Sequence, residues 1–182
     1  YDCEFGYSCM GYEISGAWGA KMARPDQEVI SFCGDGSYLM MNSDIYSSVL
    51  NGHKLIVVVC DNGGFAVVDR LAVGTGSEGF NNMLDTLKVD KPFRIDFAKH
   101  AEAMGALAES VQGINEFEQA FKRAKEADRT YVIHIKTDVG DGEWIPSVSW
   151  WECAVPEVNE RKTVHQARVE FEKDKAKQRV GV

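Results

Sequence analysis

Two short apolar runs, residues 28–33 (EVISFC) and 55–60 (LIVVVC), each end in a glycine-bearing polar turn, Gly34-Asp35-Gly36 and Asp61-Asn62-Gly63-Gly64. Both runs are too short for a helix, and the second is β-branched through its middle. Strands buried on both faces of a parallel sheet read this way. Between them a helical pattern over residues 38–50 closes at Asn51-Gly52. Two parallel strands need such a crossover, and it is right-handed in nearly every known case. This arrangement predicts an α/β fold, a parallel sheet flanked by helices on both faces. Ligands in such sheets sit at the carboxyl ends of the strands. Both glycine-bearing turns are therefore expected at one rim, close to each other.

The remaining pattern agrees. Ile14, Ala17, Trp18 and Met22 recur at helical spacing over residues 11–22, and Arg24-Pro25-Asp26 supplies the stop. Residues 65–94 carry little periodicity and read as a long loop. Helical patterns return over 96–104 and 115–127, residues 131–135 (YVIHI) read as a third strand, and a charged helix over 156–178 carries Val164, Ala167 and Phe171 as its buried stripe. Residues 1–150 are expected to form the ligand-binding domain and 151–182 a tail packed on it. The chain opens on Tyr1 inside a Gly-rich aromatic stretch, which reads as part of something longer.

Composition narrows the partners. The 182 residues, 45% hydrophobic and 26% charged, are those of a globular protein with a sizeable core. A net charge of -8 and no basic block argue against nucleic acid and anionic membrane. No run approaches the roughly 18 apolar residues of a membrane span, and there is no signal-peptide layout, so a cytoplasmic location is expected. The five cysteines form no Cys-x-x-Cys pair and are expected as reduced thiols.

Asp35 and Asn62 offer a carboxylate and an amide oxygen from the ends of two strands. Hard oxygen ligands with room for phosphate oxygens and water suit Mg2+. The glycines let backbone N–H groups approach a phosphate, and the helix expected after Ser37 points its positive end at the same place. Together these describe a magnesium-bridged diphosphate site, although each turn taken alone is what a plain strand ending usually looks like.

Gly34-Asp35-Gly36, a helix, a strand, and Asn62 placed 27 residues after Asp35 resemble the motif of the thiamin diphosphate-dependent enzymes. A second Gly-Asp-Gly at residues 140–142 has Arg168 at the same distance, which cannot bind a cation. The Gly-x-Gly-x-x-Gly of residues 74–79 has no clear strand before it, so a Rossmann reading fails on context. Both are expected to be loops. The resemblance implies the thiamin diphosphate-binding fold and a metal held by Asp35, Asn62 and the Gly64 carbonyl. It also implies a diphosphate held by the Gly36 and Ser37 N–H groups, with Gly34 and Phe65 at the cofactor. Ser8-Cys9-Met10-Gly11-Tyr12 resembles the family segment that supports the bent cofactor. Met10 would lie beneath it, its N–H meeting the aminopyrimidine, and the Ser8 carbonyl would reach the exocyclic amine. The family usually has Asn-Asn where this chain has Asp61-Asn62.

Closer similarity lies in residues 4–14 (EFGYSCMGYEI), 34–40 (GDGSYLM), 149–152 (SWWE) and 155–158 (VPEV). These resemble the hydrolase family that opens the ring of 3D-(3,5/4)-trihydroxycyclohexane-1,2-dione in myo-inositol breakdown, giving 5-deoxy-glucuronate. The family's activating glutamate comes from another domain, so no catalytic residue is assigned within this chain and the chain alone is expected to be inactive. Missing pyrimidine-binding and central domains, and a homodimer or tetramer, are implied as partners. An acetolactate synthase-like carboligase or decarboxylase, and a noncatalytic domain keeping the fold, remain as alternatives.

Overall fold

The computed structural model describes residues 1–3, 9–139, 149 and 151–179. The chain packs as two compact units, Tyr1–Gly64 with Phe93–Asp138, and Phe65–Pro92 with Val139–Val182.

The first unit is an α/β layer. Its elements are α1 (Tyr12–Ala23), β1 (Ile30–Gly34), α2 (Asp35–Met41), α3 (Ser43–Leu50) and β2 (Ile56–Asp61). After an excursion into the other unit come helix Phe97–Ala103, strand β3 (Leu107–Val111), helix Gly113–Glu126 and strand β4 (Tyr131–Lys136). The sheet order is β1-β2-β4-β3 and all pairs are parallel. Alternation along the strands splits the core in two. On one face Val57, Val59 and Val132 pack with Ile14, Tyr38, Ile45, Phe97 and Ala101. On the other, Ile56, Ile133 and Tyr131 pack with Ala120 and Ala124 of the Gly113–Glu126 helix. Helices therefore cover both faces, as expected. Strand β1 is the exception on the second face, where Ile30 and Phe32 stay 40% and 59% exposed. Among the described residues β1 has a strand partner on one edge only.

Three expectations are corrected. The helix expected over 38–50 starts at Asp35, so the Gly-Asp-Gly turn lies in its first turn, and it is interrupted at Asn42 into α2 and α3. Residues 107–111 (LAESV) form a strand that had no apolar run to announce it; as an edge strand it needs burial on little more than one side. Residues 66–74 of the long loop form a helix, α4 in chain order, which makes the later helices α5 (Phe97–Ala103), α6 (Gly113–Glu126) and α7 (Lys162–Lys175). None of the residues of α4 is buried, although Val67, Val68, Leu71 and Ala72 stand at helical spacing.

In the second unit Val164 and Phe171 of α7 are buried with Val155, and Ala167 packs beside them, which is the expected stripe. Val155 is buried with the helix, and Trp151 is 70% exposed. Gly74 ends α4, so the Gly-x-Gly-x-x-Gly pattern follows a helix. The second Gly-Asp-Gly, Ser8 and Trp150 lie outside the described residues. No helix among the described residues is long and apolar enough to cross a membrane.

Candidate functional site

Strands β1 and β2 are neighbours in register, with Gly34 opposite Cys60, so the turns that follow them emerge side by side. Gly34 ends β1 in extended conformation and leads directly into α2, whose first turn is Asp35, Gly36 and Ser37, all buried. The first N–H groups of a helix have no partner within it. Here the N–H groups of Asp35 itself, Gly36 and, from the neighbouring turn, Gly64 lie close enough to the Asp35 carboxylate to favour its ionised form. After β2 the chain bends sharply at Gly63 (φ 83) and Gly64 (φ 145), conformations that side chains rarely adopt.

That bend brings the three expected metal ligands together. With its NH2 turned toward them, Asn62 donates to the Gly64 carbonyl at 3.1 Å and to Asp35 Oδ1 at 3.2 Å. With the amide turned over, its oxygen stands at those distances from both acceptors, with no hydrogen to hold the contact. Oxygens about 3 Å apart are what neighbouring ligands show around an octahedral ion bound at about 2.1 Å. Carboxylate, amide and carbonyl oxygens are also the hard donors that Mg2+ prefers. Burial raises the Asp35 pKa above the ordinary aspartate value and the nearby Asp61 carboxylate adds to this, against the three backbone N–H groups, which lower it. A buried carboxylate beside a second carboxylate is held at an energetic cost that a cation would relieve. The donor set thus fits a hard divalent cation. Among the described residues there is no cluster of three His, Cys, Asp or Glu that could hold a metal.

Met10, Phe65 and other residues of these elements are placed as follows. Met10 is half-buried, and a side chain on its neighbour Gly11 would run into Met41 at the end of α2. Leu39 and Met40 are exposed on α2. Phe65 is half-buried at the start of α4, in the second unit. His53 and His100 are satisfied packing residues: His53 Nδ1 accepts from Trp18 Nε1 at 3.0 Å, and His100 Nδ1 meets the Tyr38 hydroxyl at 3.0 Å.

The sequence leaves one group, His134 within the third expected strand, open between core and cleft. His134, on β4, is 8% exposed; its Nε2 lies 3.1 Å from Asp61 Oδ2, and its Nδ1 lies 2.9 Å from Ser110 Oγ on β3. The available signal was position. His134 is two residues beyond Val132, hence on the same face, in register with Val59 of β2, and so within reach of the residue that ends that strand.

Comparison with known proteins follows the geometry. The family model described as "Thiamine pyrophosphate enzyme, C-terminal TPP binding domain" matches residues 1–135. The 3D-(3,5/4)-trihydroxycyclohexane-1,2-dione hydrolase of Geobacillus thermodenitrificans is 37% identical over 179 residues, covering 92% of this chain and 27% of its own length. The protein of that name from Bacillus subtilis is 37% identical over 173 residues, covering 92% and 26%. This chain therefore spans about a quarter of the length of these relatives. Among solved structures, the thiamine diphosphate-dependent 4-hydroxybenzoylformate decarboxylase of Rhodococcus jostii aligns with a TM-score of 0.61 at 26% identity, over 71% of this chain and 23% of that one.

Proposed function

Because the chain belongs to the thiamine pyrophosphate enzyme family, as its C-terminal cofactor-binding domain, we propose that it holds the diphosphate end of thiamin diphosphate through Mg2+ bound by Asp35, Asn62 and the Gly64 carbonyl. The observation that carries this reading is the meeting of Asn62 with Asp35 Oδ1 and Gly64 O at about 3 Å. Gly34, Gly36 and Ser37, at the start of α2, are read as the backbone cradle of the diphosphate. Ser8, Met10 and Phe65 are read as cofactor contacts of the family type.

When bound, the cofactor supplies the electron sink for cleavage of a C–C bond. This chain's contribution is binding and orientation. Asp35 would present its carboxylate to the cation. Asn62 turns its amide oxygen inward. The glycine bend keeps the Gly64 carbonyl aimed at the same point.

Identity of 37% with relatives named as trihydroxycyclohexane-dione hydrolases supports a ring-opening C–C hydrolase as the parent activity, with a small polyol-derived dione as substrate. We read residues 1–150 as the cofactor domain and 151–182 as its tail. The pyrimidine-binding and central domains, the activating glutamate, assembly as a dimer or tetramer, and a cytoplasmic setting complete the proposal.

The test is calorimetric titration of thiamin diphosphate into the chain joined to those domains, with and without Mg2+. Binding that requires Mg2+ and is abolished by Asp35→Ala is expected. Binding of equal strength without Mg2+, or in the variant, overturns the proposal.

A further inference from the structure

We propose that Ser110, His134 and Asp61 form a brace across three strand ends that fixes the Asn62–Gly64 bend, with His134 a positioning residue acting through Asp61. The inference rests on reading that bend as part of a cation site.

The contacts form one continuous chain. Ser110 Oγ meets His134 Nδ1 at 2.9 Å, His134 Nε2 meets Asp61 Oδ2 at 3.1 Å, and Asp61 Oδ1 accepts from the Gly63 N–H at 2.9 Å. The side chains of His134 and Asp61 are each 10% exposed, so the bond between them forms where water competes poorly. A carboxylate has no hydrogen to offer, so Nε2 carries the proton and donates; in the neutral imidazole Nδ1 then accepts from the Ser110 hydroxyl. The Phe97 ring, 5.3 Å away between centroids and tilted by 37°, packs on the imidazole and restricts its plane.

Asp61 thus uses both oxygens, one toward β4 and one toward the bend. The second bond matters because Gly63 (φ 83) lies between the two residues whose oxygens must converge on Asp35, and glycine backbone drifts readily when unpinned. Take away His134 and Asp61 Oδ2 is left buried without its partner. The side chain then turns toward water, and the Gly63 N–H is released with it. Asn62 and Gly64 are no longer held in common aim.

Backbone amide hydrogen exchange on the full chain, read residue by residue by NMR, tests this without any ligand. His134→Leu is expected to speed exchange at Gly63 by about ten-fold, the worth of one hydrogen bond. Val58 and Val132, in β2 and β4, should change by less than about two-fold. His134→Gln keeps a donor at the Nε2 position and should restore most of the Gly63 protection. Ser110→Ala, at an exposed position, is the gentler variant and should give a smaller acceleration confined to Gly63, so it decides the matter if His134→Leu fails to fold. Unchanged Gly63 exchange in a folded variant, or Gly63 accelerating in step with Val58 and Val132, overturns the brace. In parallel, Mg2+ affinity in the presence of thiamin diphosphate should fall about ten-fold in His134→Leu. Wild-type chain joined to its companion domains that shows the exchange pattern but binds no cofactor upholds the brace and refutes the cofactor reading instead.

Discussion

Gly11→Ala should be among the most damaging single-methyl changes in this chain. Gly11 precedes α1 with φ 96, and a Cβ built there would stand 2.3 Å from Met41 Cγ and 3.0 Å from Met41 Cβ. The left-handed backbone costs a side chain roughly 1–2 kcal/mol. Those Met41 atoms lie at the root of its side chain, so no flexible tip can swing aside. Either Met41 leaves its rotamer or the end of α2 moves, an overpacking cost of about 1–3 kcal/mol. The sum, about 2–5 kcal/mol, corresponds to a drop in Tm of roughly 5–15 °C for a chain of this size. Gly19→Ala is the control. Gly19 lies inside α1 with nothing within 4 Å of its would-be Cβ. There the same methyl should stabilise by about 0.5–1 kcal/mol, raising Tm by about 1–4 °C. Thermal unfolding followed by circular dichroism reads both. A Gly11→Ala chain melting within about a degree of wild type would refute the argument. Because α2 begins at Asp35, the same variant should also weaken Mg2+-dependent cofactor binding in the full assembly.

Two further outcomes are expected. Burial and the adjacent Asp61 raise the Asp35 pKa, so the folded state binds this proton more tightly than the unfolded chain does. The penalty for ionised Asp35 is therefore present above its folded pKa and disappears as pH falls. Chemical denaturation of wild type and Asp35→Asn from about pH 7 to about pH 4 should show wild type gaining on the variant as the medium is acidified, and a difference independent of pH would contradict the assignment. Metal affinity, which needs the ionised form, should fall over the same interval. Burial also pushes the Cys33 and Cys60 thiols up, Cys33 the more strongly. In the folded chain iodoacetamide should leave Cys33 unmodified at neutral pH, with labelling appearing only in denaturant; rapid native labelling of Cys33 would show that its strand is not packed as described.

Much of the site was legible because its parts are local. A β-branched run, a glycine turn and a carboxylate or amide immediately after it are one short word of sequence, and the crossover rule then places two such words side by side. Parallel pairing of β1 with β2 and the closeness of Asp35 to Asn62 follow from that, whereas the Gly64 carbonyl was implied only by the family resemblance. What escaped depends on partners distant in sequence. Leu107–Val111 is a strand because β4 offers it an edge, and its Ala and Glu say little in isolation. Ala66–Gly74 is helical without burying a residue. His134 acquires a role only from Asp61, 73 positions earlier, and Ser110, 24 positions earlier, which strand order alone juxtaposes. The start of α2 at Asp35 was hidden by the glycines flanking it, poor helix formers that here sit where backbone N–H groups must stay accessible.

Strand β1 carries its own hazard. It hydrogen-bonds along one side only, among the described residues, while Ile30 and Phe32 stand open to solvent from one face. An unpaired rim edged with apolar side chains is a template for any other extended segment. At high concentration this polypeptide should stick to itself through that rim, well away from the thermodynamics of its core. Sedimentation velocity should show mass rising with concentration, and Phe32→Lys, which charges the rim without touching Asp35 or Asn62, should shift the distribution back toward single chains.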